Sequence, residues 1–125
     1  MSHCLIVDDS RVTRRIMRDI MQGQGFMCGE AENGRLALEY CRHIMPDIIM
    51  LDWNMPVMNG IEFLKLLREE PNGGDPVVIF CTTENDMDHI QMAMGAGAND
   101  YIMKPFDGDI IRGKLEQNDI VPEGQ

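Results

Sequence analysis

Polar and charged residues follow short apolar runs at four points of the chain, and their types could do chemistry together if the fold brings them close. These residues are Asp8, Asp9, Asp52, Thr82 and Lys104. Carboxylates that meet at one place repel one another, which raises pKa values unless a cation neutralises them. A hard divalent cation such as Mg²⁺ prefers oxygen ligands of this kind. The sequence therefore suggests an acidic, cation-binding pocket with a lysine and a hydroxyl opposite.

These residue types match the needs of phosphoryl transfer. The reaction depends on positioning and countercharge more than on further covalent chemistry from the protein. Asp52 would attack as the nucleophile. Mg²⁺ would hold one phosphoryl oxygen, Lys104 a second and the Thr82 hydroxyl a third. The prediction is an aspartyl phosphate at Asp52, formed in an Mg²⁺-dependent reaction.

The elements that must position these residues alternate along the chain. Apolar runs predict strands at 4–7, 26–28, 48–51, 77–81 and 101–103. Helical spacing predicts helices at about 10–24, 34–44, 59–70, 85–96 and 107–118. The third and fourth runs are apolar at nearly every position, as in parallel strands covered on both faces. We expect an α/β fold, a flavodoxin-like (βα)5 doubly wound five-stranded parallel sheet with strand order 2-1-3-4-5. Its ligand site would lie at the carboxyl ends of the strands.

The first predicted helix carries two patterns. Ser10 is placed to cap its start, and Val12, Ile16 and Ile20 line one side, with Met17 and Met21 beside them. These residues form the apolar side of the helix, and its methionines are expected to be core residues. A second stripe recurs at i, i+3, i+4 and i+7 and consists of Arg11, Arg14, Arg15 and Arg18.

Bulk composition narrows the function classes. The 125 residues suit one compact domain, and the net charge of -10 argues against nucleic acid or an anionic membrane as the main partner. No apolar run is long enough to span a membrane, and no basic segment precedes an apolar one at the start, so a cytoplasmic protein is expected. The four cysteines lack metal-site spacing and are expected to be free and mostly buried.

Five stretches, in this order and spacing, resemble the receiver domain of bacterial two-component response regulators over essentially the whole chain. They are Ile6-Val7-Asp8-Asp9-Ser10, Leu51-Asp52-Trp53-Asn54-Met55-Pro56, Asn59-Gly60, Cys81-Thr82-Thr83-Glu84 and Tyr101-Ile102-Met103-Lys104-Pro105. The residue types at three positions, Trp53, Asn54 and Glu84, resemble those at the corresponding positions of chemotaxis regulators of the CheY type. The resemblance implies one receiver domain over residues 1–125 with no output domain. It also implies no enzyme activity beyond the protein's own phosphorylation and dephosphorylation.

The resemblance assigns roles to the acidic residues. Asp52 is the phosphoacceptor, and Asp9 and Asp52 bind Mg²⁺ together with the backbone carbonyl of Asn54. Asp8 acts on the cation mainly through a water. In this family the residues two places after the phosphoacceptor and two after the threonine line the path of the hydrolytic water. Asn54 and Glu84 at these places predict a phosphate that is lost quickly.

The resemblance also implies a switch. Lys104 pairs with the phosphate and with Asp52, and its peptide bond to Pro105 is expected to be cis. The phosphate draws the Thr82 hydroxyl toward it, and Tyr101 rotates inward behind it. The sequence equally allows Tyr101 to be a half-buried aromatic residue whose hydroxyl is exposed to solvent. The expected readout surface consists of the fourth helix, the fifth strand and the fifth helix.

Partners follow from the same resemblance. The phosphodonor is a histidine kinase or a histidine phosphotransfer protein. The donor is expected to dock on the arginine stripe at 11, 14, 15 and 18; the alternative is that this stripe is a solvated charged face. Output passes to a downstream protein, such as a flagellar motor switch component in chemotaxis. A phosphorelay intermediate or a receiver that regulates a kinase is the alternative. Monomer and weak dimer both remain open.

Two other protein classes share this type of sheet. A haloacid-dehalogenase-type phosphatase uses a second aspartate two residues after its nucleophile as acid and base. Asn54 occupies that position and cannot carry the proton. A flavin-binding module is disfavoured because Asp8 and Asp9 would repel the flavin phosphate. A receiver that had lost phosphorylation would have a damaged acidic cluster, and here the cluster is whole.

Overall fold

The structure is a computed structural model that describes residues 2–83 and 86–120. Within these ranges, strands and helices alternate in the predicted order. They are β1 His3–Val7, α1 Arg11–Gly23, β2 Met27–Ala31, α2 Gly34–His43, β3 Ile48–Leu51, α3 Gly60–Glu69, β4 Val77–Thr82, α4 Met87–Gly95, β5 Asp100–Met103 and α5 Gly108–Gln117. The largest difference from the prediction is in β2, which continues to Ala31 past the end of its apolar run.

The five strands form one parallel sheet in the order β2-β1-β3-β4-β5, which confirms the predicted fold class and strand order. β1 lies between β2 and β3, with Val7 paired to Ala31 and to Leu51. On the other side of β3, Leu51 is paired to Phe80. The carboxyl ends of the strands therefore lie at one edge, which is where ligands bind in open α/β sheets.

Helices cover both faces of the sheet. All four residues of β3 are buried, as expected for a central parallel strand. One core layer includes Leu5 and Phe80 with residues of α2 and α3, and the predicted core residues Ile61, Leu64 and Leu67 of α3 are buried in it. The other layer packs residues of α1 and α5 on the opposite face. This two-sided burial fixes the sheet on which the site is built.

Only part of the apolar side predicted for α1 is buried. Met17 and Met21 are buried, whereas Val12 is 70% and Ile16 50% exposed. Successive helical residues are rotated by about 100°, so the two apolar stripes are neighbours and only one can point directly at the sheet. The methionine stripe does so. Val12 and Ile16 consequently form an apolar surface beside the carboxyl edge of the sheet.

Caps fix where the helices begin. The Ser10 hydroxyl accepts a hydrogen bond from the Thr13 backbone at 3.2 Å, as predicted. At the start of α3, Asn59 and Glu62 form a reciprocal capping box. No helix in the described ranges is long and apolar enough to cross a membrane. All four cysteines are free thiols; Cys28 is half-buried and the other three are buried.

Candidate functional site

An acidic pocket lies at the carboxyl ends of β1 and β3. Asp8 and Asp52 are only 4% and 8% exposed. The Lys104 Nζ atom lies between them, 2.9 Å from Asp8 Oδ2 and 3.2 Å from Asp52 Oδ1. Three residues that are far apart in sequence thus form one charge cluster. Lys104 is placed to neutralise a negative group at this point.

Backbone hydrogen bonds that continue past the strand ends hold these residues in place. The Asp52 N–H donates to the Val7 carbonyl at 2.8 Å, and the Asp8 N–H donates to the Ala31 carbonyl at 3.1 Å. The Lys104 N–H donates to the carbonyl of Thr82 at 2.9 Å. The sheet itself therefore sets the position of both carboxylates and the lysine. Such support keeps a site rigid.

Burial and the Asp8 charge raise the pKa of Asp52 to about 6, against the opposing effect of Lys104. Burial lowers the pKa of Lys104, but the hydrogen bond to Asp8 and the charges of both aspartates outweigh it and raise that pKa. The lysine therefore stays protonated while Asp52 titrates near neutral pH. Perturbed values of this kind are typical of functional sites.

Three carboxylates can meet a single cation here. Oxygen atoms of Asp8, Asp9 and Asp52 all lie within 4.8 Å of one another, and Asp9 is exposed. Carboxylate oxygens are hard donors, which suit Mg²⁺. The donor set therefore fits the predicted cation. Solvent exposure of Asp9 leaves that side of the cluster accessible.

The loop from β3 to α3 packs tightly under the acidic pocket. Gly60 approaches Asp52 so closely that a Cβ there would lie 2.3 Å from the Asp52 carbonyl oxygen. The Gly60 N–H also donates to the Trp53 carbonyl at 2.9 Å. Asn54 is exposed at the mouth of the site. Only glycine leaves room for α3 to start this close to the backbone of Asp52.

Trp53 connects the site to α4. The Trp53 ring is 7% exposed and lies 5.1 Å from the Phe80 ring, centroid to centroid. Its other neighbour is the His89 ring, in a T-shaped contact at 4.9 Å. The residue next to Asp52 therefore contacts α4 directly. Sequence reasoning missed this contact because periodicity does not show which ring α4 turns inward.

The predicted switch residues lie close to the same edge. Thr82 is fully buried at the end of β4. Tyr101 is half-buried, and its hydroxyl oxygen is buried rather than exposed to solvent. The Lys104-Pro105 bond is cis, as predicted. Glu84 lies outside the described residues.

The arginine stripe is divided between two environments. Arg14 is mostly covered: it donates to the Asp8 backbone carbonyl at 2.6 Å and to Glu30 at 3.0 Å. Arg18 also pairs with Glu30, at 2.6 Å. Arg11 and Arg15 are exposed on α1. Arg14 thus holds the backbone of Asp8 beside the acidic pocket. The spacing of the stripe alone did not predict this role.

Comparisons with known proteins agree with this geometry. Residues 4–116 match the family described as response regulator receiver domain. The chain is similar to chemotaxis protein CheY of Thermotoga maritima, with 39% identity over 82% of this chain and 84% of that protein. It is also similar to chemotaxis protein CheY of Pseudomonas aeruginosa, with 36% identity over 90% of this chain and 92% of that protein.

A solved structure of Vibrio cholerae chemotaxis protein CheY4 superposes with a TM-score of 0.89 and 32% identity, over 94% of this chain and 98% of that one. The parallel sheet and the acidic pocket at its carboxyl edge define an α/β domain of the receiver type. This chain belongs to the response regulator receiver domain family, and within it is CheY-like. Proteins of this kind are signalling proteins rather than classical enzymes.

Proposed function

We propose that this chain is a single-domain response regulator that accepts a phosphoryl group on Asp52. The observation that carries the proposal is the Lys104 ammonium bridging Asp8 and Asp52, with Asp9 beside them. In the reaction, a carboxylate oxygen of Asp52 attacks the phosphorus of a phosphohistidine, and the phosphorus–nitrogen bond breaks. The product is an acyl phosphate on Asp52. The three equatorial oxygens then need countercharge and hydrogen-bond donors.

The residues present can supply both. Asp8, Asp9 and Asp52, with the Asn54 carbonyl, would hold Mg²⁺, which when bound neutralises charge on the phosphoryl oxygens. Lys104 is charged and already at the carboxylates, so it can pair with a phosphoryl oxygen. Thr82 would donate its hydroxyl to another. Asp52 must be ionised to attack, and a cation bound beside it would favour the ionised form.

The direct test is phosphorylation by a small phosphodonor such as acetyl phosphate with Mg²⁺, read as a gain of one phosphoryl group by intact mass. We expect a gain for the wild-type chain and none for Asp52→Asn. Asp75→Asn, which changes an exposed aspartate, is the matched control and should be phosphorylated normally. Phosphorylation of Asp52→Asn at the wild-type rate would contradict the proposal. Repeated turnover of phosphomonoesters would favour the phosphatase alternative.

The phosphate should be short-lived. Asn54 and Glu84 are proposed to line the path of the hydrolytic water, and Asn54 is exposed at the site as that role requires. Following the loss of the phosphoryl mass after removal of the donor gives the lifetime. A lifetime of hours for the wild-type chain would contradict this part of the proposal.

The phosphodonor is proposed to be a histidine kinase or a histidine phosphotransfer protein that docks on α1. Exposed Val12 and Ile16 offer apolar contact, and Arg11 and Arg15 offer positive charge around them. The charge-reversal test should use Arg15→Glu, because Arg14 also holds the Asp8 carbonyl. Arg35→Glu on α2 is the matched control, since Arg35 is exposed and, among the described residues, its ion pair is with Glu39 one turn along the same helix.

Arg15→Glu should slow transfer from the protein donor and leave phosphorylation by acetyl phosphate unchanged. A loss of the same size with both donors would contradict docking at this face. Arg35→Glu should leave both rates unchanged. The salt dependence of transfer gives a second readout, because exposed charge pairs weaken as ionic strength rises.

The output is proposed to be a protein contact through α4, β5 and α5, most directly in chemotaxis or motility in the cytoplasm. α4 carries exposed Met87, Met92 and Met94, and methionines suit adaptable protein contacts. Phosphate at Asp52 would reach this surface through Thr82 and Tyr101. A pull-down with the beryllofluoride-activated chain against Asp52→Asn would identify the partner, either a flagellar motor switch component or another regulator. Sedimentation of the activated chain would distinguish a monomer from a weak dimer.

A further inference from the structure

Two cysteines face each other across the edge of the sheet, away from the acidic pocket. Cys4 of β1 and Cys28 of β2 are register partners in the parallel ladder. Neighbouring strands lie about 4.8 Å apart, and disulfides join residues whose Cα atoms are about 4.4–6.8 Å apart. Both side chains belong to the core layer on the α1 side of the sheet. The two side chains thus lie on the same face of the sheet, and the usual spacing of paired strands falls within the Cα range of a disulfide.

The two thiols are in unlike environments. Cys4 is fully buried, while Cys28 is half-buried on the edge strand. The hydrogen bond from the Cys4 side chain lowers the pKa of Cys28, and the Arg18 charge acts in the same direction, against the effects of burial and Glu30. Burial and the neighbouring Cys28 raise the pKa of Cys4. Cys28 is therefore the reactive thiol and Cys4 the buried partner.

We propose that Cys4 and Cys28 form a reversible disulfide when the chain meets a hydroperoxide. The Cys28 thiolate attacks the terminal peroxide oxygen and the O–O bond breaks. The leaving group, an alkoxide or the hydroxide from hydrogen peroxide, takes a proton to become an alcohol or water. Cys28 is now a sulfenic acid. The Cys4 sulfur attacks the Cys28 sulfur, the S–O bond breaks, and the hydroxyl group leaves as water with the proton of the Cys4 thiol. Two thiols are oxidised and one hydroperoxide is reduced.

The remaining cysteines are less suited to this chemistry. Burial raises the pKa of Cys41 and of Cys81 to about 12, so each is almost wholly protonated at neutral pH. Cys41 also belongs to the core layer on the other face of the sheet. The Cys4–Cys28 bond would require Cβ atoms to approach to about 3.8 Å, closer than the strand spacing. That strain makes the bond easily reduced, as a reversible modification requires.

The test treats the folded, reduced chain with hydrogen peroxide, blocks the remaining thiols by alkylation, and maps peptides without reductant. The readout is thiol alkylation and peptide linkage rather than whole-chain mass, because exposed Met27 can itself be oxidised. We expect a Cys4–Cys28 linked peptide that dithiothreitol abolishes. Before oxidation, alkylation of Cys28 should be at least about tenfold faster than that of Cys41.

Variants separate the steps. Cys28→Ser should give no disulfide and no dimedone adduct, while Cys4→Ala should leave a Cys28 sulfenic acid that dimedone traps. Cys41→Ser is the matched control and should form the Cys4–Cys28 bond as the wild type does. Circular dichroism at the same peroxide concentration confirms that each chain is folded. A bond that involves Cys41 or Cys81, a bond that forms only on unfolding, or thiols that stay reduced would overturn the proposal.

Discussion

Replacing Asp52 with asparagine should stabilise the fold at neutral pH, although it removes the proposed phosphoacceptor. Asp52 is 8% exposed and close to the Asp8 charge, and its pKa is raised from the ordinary 3.8 to about 6. A group that binds its proton more tightly in the folded chain than in the unfolded one costs stability once it ionises. Asparagine keeps the shape of the side chain and removes the charge. Lys104 retains its partner Asp8 at 2.9 Å.

The size of the effect follows from the shift. A rise of about two pKa units corresponds to about 3 kcal/mol at most, since each unit is worth about 1.4 kcal/mol. This net shift already includes the favourable Lys104 contact, so we expect Asp52→Asn to be more stable by up to about 3 kcal/mol at pH 7. In a domain of this size such a gain raises the melting temperature by several degrees.

The pH dependence gives the sharper test. Between pH 3.8 and about 6 the folded wild-type chain holds the Asp52 proton that the unfolded chain has lost, so its stability falls relative to Asp52→Asn as pH rises. Below pH 3.8 the carboxyl is protonated in both states and the difference should vanish. Urea unfolding in EDTA, followed by far-UV circular dichroism across this pH range, measures the difference in unfolding free energy between the two chains. Asp75→Asn, at an exposed position, is the control.

Two outcomes would refute the reasoning. One is an Asp52→Asn variant that is no more stable than the wild type at pH 7. The other is a difference that persists unchanged below pH 3.8, which would show that packing and not ionisation is responsible. Adding Mg²⁺ should stabilise the wild type more than the variant, because a ligand that binds only the folded chain adds to its stability. The gap between the two chains should therefore narrow.

Three further predictions concern residues around the site. Val57 is 73% exposed and has a φ of 71°, which is a strained conformation for a β-branched residue. Val57→Asn should therefore raise the free energy of unfolding in urea by about 1 kcal/mol. No gain would show that the loop holds no strain. Gly60→Ala should lower the free energy of unfolding by at least about 1 kcal/mol and slow phosphorylation by acetyl phosphate, since the new Cβ would lie 2.3 Å from the Asp52 carbonyl oxygen. Wild-type values for both quantities would contradict the close approach. Lys104→Ala should raise the pKa of Asp52 further, because Lys104 lowers it now; carboxyl chemical shifts in an NMR titration measure the change, and an unchanged pKa would contradict the bridge.

Hydropathy was sufficient to predict the sheet, because β3 and β4 are buried on both faces and carry nearly continuous apolar runs. The strand-end residues then followed from the rule that parallel strands end at one edge. The core face of α1 was not predictable in the same way. Its two apolar stripes are adjacent, and only the contacts with the sheet decide between Met17 and Ile16.

Contacts between distant segments were likewise beyond sequence reasoning. That Arg14 turns back to the Asp8 carbonyl depends on the direction of α1 relative to β1. That Cys4 faces Cys28 depends on the register of β2, whose apolar run is short and lies on the edge of the sheet. Edge strands with one exposed face have the weaker pattern. Residue types at strand ends predict which groups meet, but not how they are paired.

The acidic pocket is a place where function opposes stability. Asp8 and Asp52 repel each other in a buried position, and Lys104 only partly offsets the cost, as the raised pKa of Asp52 shows. A cation or a phosphoryl group at this point would relieve that repulsion, so the same unfavourable charge that weakens the free fold favours binding there. For the wild type and Asp52→Asn, the order of stability without Mg²⁺ should therefore be the reverse of the order of activity. Asp52→Asn should be the more stable and the less active of the two, and the wild type should gain more stability from the cation.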